Sequence, residues 1–439
     1  MPRYSRAKPD GDGKVTHPGD DMHDTLRGFL DAERQAQRDF LAALVRVPSD
    51  NPPGDCSPHA EAAAALLEAL GFTVERHPVP AELCAANGMI SATNLVIRKR
   101  FGSGEGPVIA LNAHGDVVAP GAGWSTDPYG AAIIDGVMYG RGVAVSKSDF
   151  ATYAYALKAL DALAAEGAAL DGTVELHLTY DEEVGGAIGP QWLLETGISK
   201  PDLAISAGFA YQVVTAHNGC LHLEVTVSGR SAHAAKPETG HDALEATTAV
   251  LTMLYGLRDG LKATRSAVPG IDHPTLVVGL IAGGINTNVV PDKVVLRLDR
   301  RLIPEEDAAV VEAELRLAIE DAVEALPGIS VSIHRLLLAT PLGPLPGVER
   351  LTGPLSRHAS AVVGEEIGTG GLQIYTDARH YMAAGVPTVL YGAGPRSILE
   401  ANGHRADERL VLTDLDRATL VVAATLAELL RGGGEGGDN

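Results

Sequence analysis

The stretch Val108-Ile109-Ala110-Leu111-Asn112-Ala113-His114-Gly115-Asp116 passes from an apolar strand directly into a histidine and an aspartate. A second apolar strand, Thr173 to Tyr180, ends in the same way at Asp181-Glu182-Glu183. Because open α/β sheets bind ligands at the carboxyl ends of their strands, we expect these polar side chains to meet at one sheet edge. Together with the distant Gly403-His404, they are residue types from which proteins build a metal site with a general base beside it. The sequence therefore predicts a hydrolytic metal centre at this edge.

Strands and helices alternate on both sides of this stretch. Strand-like patterns cover Thr73 to His77, Ala92 to Arg98, Val108 to Asn112, Thr173 to Tyr180 and Thr388 to Tyr391. Helical periodicity covers Met22 to Val45, about Pro58 to Leu70, Ala151 to Glu166, about Gly347 to Val363 and Asp414 to Leu430, the last capped by Thr413. Such alternation predicts a layered α/β domain.

A second unit interrupts this alternation between residues 215 and 336. Its elements are a strand at Leu221 to Val227, a helix at Ala243 to Leu257, strands at Leu276 to Ile281 and Lys293 to Leu302, a helix at Glu305 to Leu326 and a strand at Ile329 to Leu336. The order βαββαβ predicts a small ferredoxin-like sheet covered by two helices on one face. We therefore expect a catalytic domain of residues 22–214 and 337–431 with this unit inserted. Residues 1–21 and 432–439 lack periodicity, and we expect them to be disordered.

The charge and composition of the chain exclude several kinds of partner. The 439 residues include 35 basic and 56 acidic side chains, a net charge of −21, which disfavours nucleic acid and anionic membranes. The sequence contains neither the apolar core of a signal peptide nor an uncharged run of about eighteen apolar residues. Cys56, Cys84 and Cys220 show no metal-ligand spacing, which argues against both a disulfide framework and a thiolate site. We expect a cytoplasmic protein that does not cross a membrane.

Eight ordered motifs between about residues 25 and 430 carry a resemblance to a known family. They are Ala113-His114-Gly115-Asp116, Gly123-Trp124 with Asp127-Pro128, Asp135-Gly136-Val137-Met138-Tyr139-Gly140-Arg141-Gly142, Asp181-Glu182-Glu183, Gly229-Arg230-Ser231-Ala232-His233, Asn288-Val289-Val290-Pro291-Asp292, Thr376-Asp377-Ala378-Arg379 and Gly403-His404-Arg405-Ala406-Asp407-Glu408. In this combination the chain resembles the zinc aminoacylases and carboxypeptidases that include acetylornithine deacetylase and succinyl-diaminopimelate desuccinylase. The resemblance implies a catalytic domain with a two-metal site and an inserted lid domain that usually also makes a homodimer.

The resemblance implies a role for each residue at the strand ends. His114 would bind the first metal, and the Asp116 carboxylate would orient its imidazole. Glu183 and His404 would bind the second metal. Glu182 would be the general base that takes a proton from metal-bound water, because a metal lowers the pKa of that water to about 7 in favourable sites.

The resemblance also implies substrate-binding residues, chiefly on the lid. His233 would reach the partner subunit's active site and stabilise the oxyanion of a tetrahedral intermediate. Asn288 and Arg301 would hold the carboxylate of a small substrate, Arg301 with a bidentate grip. Arg379 is a further substrate-binding candidate, although an ion pair with Asp377 accounts for it equally well.

Two positions depart from the family pattern. Val145 stands where the family has an aspartate that bridges both metals, and Ala207 stands where a second acidic ligand is expected. Two close cations without a bridging carboxylate would repel each other strongly. We therefore expect one zinc ion per chain on His114, Glu183 and His404, a two-histidine, one-carboxylate set known from catalytic zinc sites. Substitute oxygens could come from Ser146, Ser148 or Asp149, although Asp149 is better interpreted as a helix cap.

Two classes of function remain open on these residues. The first is a metal-dependent hydrolase that cleaves an amide bond in a small N-acyl amino acid or dipeptide-like substrate. The second is a metal-poor relative that uses the carboxylate-binding cleft for non-hydrolytic acid/base chemistry or for ligand binding. The zinc content of the protein distinguishes them.

Several candidates also have purely structural interpretations. His114 with Asp116 can be a buried imidazole satisfied by a local carboxylate, and Arg301 can pair with Asp299 or Glu305. His404 can cap the preceding loop. We interpret three further histidines as structural or surface residues: His217, His222 and His380.

Overall fold

The structure, a computed structural model, describes residues 18–431, with side chains from residue 22 onward. The predicted disorder of the two ends lies outside this range, except at residues 18–21, which form the first turn of a helix. A proline at the start of a helix favours this earlier beginning, because it needs no hydrogen-bond partner for its nitrogen.

The described residues form fifteen strands and ten α-helices. The strands are β1 (Glu75–Pro78), β2 (Thr93–Phe101), β3 (Val108–His114), β4 (Ala132–Ile134), β5 (Val137–Tyr139), β6 (Gly172–Thr179), β7 (Leu203–Ser206), β8 (Val213–His217), β9 (Gly219–Ser228), β10 (Thr275–Gly283), β11 (Lys293–Leu302), β12 (Ser330–Ala339), β13 (Thr369–Leu372), β14 (Thr388–Leu390) and β15 (Arg409–Val411). The helices are α1 (Pro18–Val45), α2 (Ser57–Ala69), α3 (Ala81–Ala86), α4 (Lys147–Ala165), α5 (Pro190–Glu195), α6 (Ala243–Leu261), α7 (Ala308–Glu324), α8 (Glu349–Val363), α9 (Ala378–Ala383) and α10 (Leu412–Arg431).

An eight-stranded sheet forms the centre of the larger layer. Its order is β1-β2-β6-β3-β7-β14-β8-β13, and β6, β3, β7 and β14 run parallel to one another at its middle. The central strands are buried along almost their whole length because a parallel sheet is covered on both faces. The carboxyl ends of β3 and β6 therefore lie side by side.

Helix α4 is the main support of this sheet. Almost all of its residues are buried, from Lys147 to Leu163, and it packs between the sheet and the helices α1 and α10. An alanine-rich helix that is apolar all round fits such a place, because small side chains let neighbouring helices approach closely.

The inserted unit has its own sheet and core. Its strand order is β10-β11-β9-β12, all antiparallel, and α6 and α7 cover one face over Leu221, Leu223 and Val225. These two layers confirm the predicted α/β class with a ferredoxin-like lid. Thr215, where the second unit is expected to begin, lies in β8 of the large sheet, and the lid sheet itself begins at Gly219.

The last helix begins differently from the prediction. Thr413 does not cap it, because α10 already starts at Leu412, directly after the strand β15. β15 pairs with β5 and β4 in a small three-stranded sheet that the sequence analysis missed, since strands of three residues give no periodic signal. No helix within residues 18–431 is both long and apolar enough to span a bilayer.

Candidate metal centre

The two motifs from the sequence meet at the carboxyl ends of β3 and β6. These strands pair in parallel, and the register sets His114 beside Thr179. The chain then turns through Asp181 into a short 3₁₀ turn, Glu182–Val184, which ends at Gly185 with a φ of 116°. Glycine suits this left-handed position because it has no Cβ to clash. The turn brings Glu182 Oε2 to 4.0 Å from His114 Nε2.

Asp116 holds the two motifs together. It is fully buried, and its carboxylate accepts hydrogen bonds from the main-chain nitrogens of Glu182 and Glu183 at 3.3 and 3.1 Å. The Asn51 amide donates a third bond at 2.9 Å. His114 Nδ1 donates to the Asp116 main-chain oxygen at 3.0 Å and lies 3.4 Å from its carboxylate. These contacts of Nδ1 fix the imidazole so that Nε2 faces the glutamates. A hydrogen bond from the other ring nitrogen is the usual support of a metal-binding histidine.

Metal-ligand atoms of His114, Glu182 and Glu183 all lie within 4.8 Å of one another. His404 adjoins this cluster through Glu183, with Nε2 at 3.4 Å from Oε1. The arrangement differs from the predicted set in two respects: His404 lies beside Glu183 but outside this group of three, and Glu182 joins Glu183 beside His114. The reason is the tight turn, which lets consecutive side chains point to the same place.

The electrostatics of the cluster favour a cation. Burial raises the pKa of the Glu182 carboxyl to about 7, against the lowering effect of His114. Burial opposes protonation of His114, but the bond from Asp116 and the charge of Glu182 outweigh it and raise the pKa of the imidazole well above its usual value. Imidazole and carboxylate donors at this spacing fit a zinc ion, which takes nitrogen and oxygen ligands together.

An ion pair behind the cluster positions the loop that carries Val145. Arg141 Nη1 lies 2.6 Å from Glu408 Oε2, and both side chains are 1% exposed. The second Glu408 oxygen accepts from the main-chain nitrogens of Ala144 and Val145 at 3.1 and 3.2 Å. Glu408 follows His404 closely in sequence, so the same pair anchors the loops on both sides of the cluster.

A cleft of about 480 Å³ lies above the cluster, and Val145 and Ala207 both line it. Neither side chain has an oxygen that could bridge a second ion. These two positions of the cleft wall therefore supply no ligand oxygen to a metal ion.

Each of the three candidate substitutes for the missing ligands makes a hydrogen bond within the protein, and Ser146 and Asp149 also line the cleft. Ser146 Oγ accepts from the His114 main-chain nitrogen at 3.2 Å, and Ser148 Oγ donates to Ala144 at 3.4 Å. Asp149 lies inside the first turn of α4 and does not cap it, so that interpretation is wrong. Its buried carboxylate accepts from the Ala393 nitrogen at 2.9 Å and so ties the helix to a loop of the cleft, a distant contact that the sequence could not indicate. Lys147 Nζ donates to the Val47 carbonyl at 3.1 Å.

The lid residues divide into two groups. Arg301 lines the cleft, and its Nε lies 2.9 Å from Asp299 Oδ1, so the pairing considered from sequence is present. His233 and Asn288 are exposed and do not line the cleft of their own chain. They lie next to each other, because the Ala234 nitrogen donates to the Asn288 carbonyl at 2.9 Å.

Arg379 lies behind the cleft and not in it. It is 4% exposed and its guanidinium donates to the main-chain oxygens of Gly185 and Thr376, the latter at 3.1 Å. It does not form the ion pair with Asp377 that the sequence leaves open as an alternative, and its contact with Gly185 supports the turn that carries the two glutamates. His380 Nε2 donates to the same Gly185 oxygen at 3.0 Å.

Sequence reasoning missed three residues of the cleft wall: His222, Tyr375 and Asp377. The sequence analysis assigns His222 a structural or surface role, whereas its position on the lid strand β9 places it in the cleft wall. Asp377 lies within the motif Thr376-Asp377-Ala378-Arg379 and Tyr375 directly precedes it, which is the one available signal.

Comparisons with known proteins identify the family of the chain. The model of peptidase family M20/M25/M40 matches residues 110–428 of the chain. An acetylornithine deacetylase from Proteus mirabilis is 31% identical over 347 residues, covering 78% of this chain and 82% of the relative. A succinyl-diaminopimelate desuccinylase from Granulibacter bethesdensis is 29% identical over 405 residues, covering 88% and 95%.

Solved structures show the same fold at low identity. The di-peptidase Dug1p from Saccharomyces cerevisiae superposes with a TM-score of 0.74 and 14% identity, covering 94% of this chain and 99% of that one. Human carnosine dipeptidase 1 gives a TM-score of 0.68 at 17% identity, covering 93% and 100%. The predicted family and the prediction of a hydrolase are thereby confirmed. The chain belongs to peptidase family M20/M25/M40.

Proposed function

We propose that the chain hydrolyses the amide bond of a small N-acyl amino acid or dipeptide-like substrate, using a single zinc ion at the floor of the cleft. The observation that carries this proposal is the cluster at the strand ends, where His114 and Glu183 offer ligand atoms within 4.8 Å of each other and Glu182 Oε2 lies 4.0 Å from His114 Nε2, while Val145 and Ala207 offer no oxygen for a second ion. Relatives named as a deacetylase and a desuccinylase support the substrate class.

The ion would be held by His114 and Glu183, with His404 beside Glu183. When bound, such an ion polarises a carbonyl and lowers the pKa of water. Glu182 Oε2 accepts a proton from the attacking water and passes it to the leaving amine nitrogen. Asp116 keeps the His114 ring and the Glu182 main chain in place during these transfers.

The cleft wall supports a substrate with one charged and one apolar end. Arg301 lies on the lid side and would hold a carboxylate. Apolar side chains line much of the remaining wall: Val118, Val145, Phe209, Ile374, Leu390 and Ile398. The apolar end would pack there, in part of the space that an acidic ligand occupies in a two-metal site.

Zinc content tests the single-ion centre. We expect Glu183→Gln to contain one zinc equivalent fewer than the wild-type protein by elemental analysis, and to lose hydrolysis of N-acetyl amino acids, because the ligand between the two histidines is gone. The matched control Glu195→Gln changes an exposed glutamate on α5 and should keep the wild-type zinc content and the hydrolytic activity. Equal zinc in Glu183→Gln and wild type would favour the metal-poor alternative, in which the cleft binds carboxylates without hydrolysis.

A homodimer through the lid would complete the site. The strand β10 exposes Val277, Leu280 and Ile281, each more than half accessible, on an edge of the lid sheet. An edge of this kind is suited to pairing with a second copy. His233 and Asn288 would then contact substrate in the partner's cleft.

Mixed dimers test this arrangement. His233→Ala and Glu182→Gln should each be nearly inactive alone. After the two variants are refolded together, one cleft of each mixed dimer combines Glu182 from the His233→Ala chain with His233 from the Glu182→Gln chain and is therefore intact. Random pairing restores roughly a quarter of the wild-type sites. Activity of the mixture equal to the sum of the two variants would contradict the shared cleft.

The composition supports a cytoplasmic enzyme for small molecules. The cysteines Cys56, Cys84 and Cys220 are free thiols, which suits a reducing compartment. The net charge of −21 disfavours nucleic acid and anionic membranes as partners.

A further inference from the structure

Four polar side chains lie together on one face of the lid sheet. Cys220 and His222 alternate along β9, and Asp299 and Arg301 alternate along the neighbouring β11. The antiparallel register pairs Cys220 with Arg301 and His222 with Asp299. Residues two apart on a strand share a face, so the pairing gathers all four at one end of the sheet.

This face is turned towards the catalytic layer. The opposite face of β9 packs its leucines and valines under α6 and α7. His222 and Arg301 line the same cleft as His114 and Glu182. On the adjacent β12, Leu337 comes close to Gly185, at the end of the turn that carries the two glutamates.

Three donor atoms of this group converge on one point. Cys220 Sγ lies 3.2 Å from His222 Nε2, and Asp299 Oδ2 lies 2.8 Å from the same nitrogen. The sulfur and the carboxylate oxygen are 3.7 Å apart. Ligand atoms at the corners of a metal-binding tetrahedron have spacings of this order, given metal–ligand bonds of about 2.0 to 2.3 Å.

The geometry does not fit a nucleophilic cysteine. In a catalytic triad the nucleophile and the acid contact different nitrogens of the histidine ring, so that the ring can relay a proton. Here both contact Nε2. In addition, burial raises the pKa of the Cys220 thiol to about 12, so the free thiol stays protonated at neutral pH.

Arg301 gives the Asp299 carboxylate a fixed orientation. Its Nε donates to Oδ1 at 2.9 Å, which leaves Oδ2 directed at the sulfur and the imidazole. Although burial opposes it, the bonds from His222 and Arg301 lower the pKa of Asp299, so the carboxylate is ionised. A hydrogen bond to the second oxygen of a ligating carboxylate is the outer support that metal sites commonly have.

We propose that Cys220, His222 and Asp299 bind a zinc ion in the lid wall of the cleft, a site separate from the cluster around His114. Sulfur, imidazole and carboxylate ligands together suit zinc. On binding, the S–H bond of Cys220 breaks, a zinc–sulfur bond forms, and the proton leaves to solvent. Three protein ligands leave a fourth position towards the cleft for water or for a substrate carboxylate, next to Arg301.

Cobalt titration of the metal-free full-length protein tests this site. Thiolate bound to Co²⁺ gives a strong charge-transfer band in the near ultraviolet, which the sulfur-free cluster at His114 cannot produce. We expect the band to correspond to one thiolate-bound ion per chain, to saturate by two added equivalents because the cluster at His114 takes the other ion, and to be displaced by Zn²⁺. Cys220→Ser should abolish it, whereas Cys84→Ser, a change at another buried thiol, should leave it intact. Glu183→Gln should also retain the band, so the result is independent of the proposed hydrolysis.

A second variant keeps the test decisive if Cys220→Ser does not fold. His222 is partly exposed, so His222→Asn should fold. Loss of a residue that only supports a metal ligand costs roughly tenfold to hundredfold in metal affinity, and loss of the ligand His222 should weaken Co²⁺ binding by at least as much. The proposal is overturned if wild-type protein gives no thiolate band, if the band survives Cys220→Ser, or if His222→Asn binds Co²⁺ as tightly as wild type.

Discussion

Glu182→Gln is expected to lower kcat for hydrolysis of an N-acetyl amino acid by about a hundredfold to ten-thousandfold, the usual range for loss of a general base. The amide has nearly the same shape as the carboxylate but cannot accept the proton of the attacking water. Since Glu182 lies 4.0 Å from His114 Nε2 on a turn fixed by Asp116, the substitution should leave the surrounding main chain in place. Release of free amine from a panel of N-acetyl amino acids and dipeptides measures the effect.

Two comparisons make this result specific. Zinc content should remain close to that of wild type, which separates the loss of a base from the loss of a ligand as in Glu183→Gln. Glu195→Gln, the same chemical change on the exposed side of α5, should retain full activity. If kcat for Glu182→Gln equals the wild-type value, Glu182 is not the base and the proposed mechanism is wrong.

Arg141→Met is expected to destabilise the protein by about 3–5 kcal/mol, because it leaves the Glu408 carboxylate buried without its cation. Both side chains are 1% exposed, so water cannot replace the guanidinium. Burial raises the pKa of the Glu408 carboxyl, and the charge of Arg141 is the largest of the effects that oppose this rise. Urea denaturation followed by circular dichroism measures the loss as a lower transition midpoint.

An exposed ion pair provides the matched control. Arg357 pairs with Glu428, and their side chains are 59% and 41% exposed. Arg357→Met should change stability by no more than about 1 kcal/mol, because solvent screens such a pair. Glu408→Gln added to Arg141→Met should recover part of the loss, since the amide is neutral and its oxygen can still accept from Ala144 and Val145. Equal destabilisation by Arg141→Met and Arg357→Met would contradict the role of burial.

The ion pair also links stability to activity. Glu408 fixes the nitrogens of Ala144 and Val145 on one side of the cleft and follows His404 on the other. Loss of Arg141 should therefore loosen both loops around the cluster.

Periodicity predicted the larger elements well. The lid strand Lys293–Leu302 and the helices α2, α6 and α8 lie close to their predicted bounds, because each has a long amphipathic or alternating pattern. Short elements such as β4, β5 and β15 gave no such pattern. Their pairing depends on contacts between residues near 137 and 410, which no local window contains.

The roles of Asp149 and Arg379 were not visible in the sequence for a related reason. A carboxylate near a helix start usually caps that helix, but Asp149 instead bonds the nitrogen of Ala393, more than two hundred residues away. Arg379 lies two residues after Asp377 in sequence and nevertheless bonds the main-chain oxygens of Thr376 and of Gly185, the latter at the end of the glutamate turn. Both residues therefore bond a partner that is distant in the sequence and do not make the local contact that their sequence neighbours suggest.

By itself, the sequence determined the layered α/β class, the inserted lid and the residues at the ends of β3 and β6, because strand periodicity and the position of polar residues after strands are local properties. Only the tertiary structure decided that both glutamates lie beside His114 and that Cys220, His222 and Asp299 share one point. The spacing of side-chain atoms from separate strands is set by register and by the packing of the lid on the large sheet, and neither is encoded in any single segment.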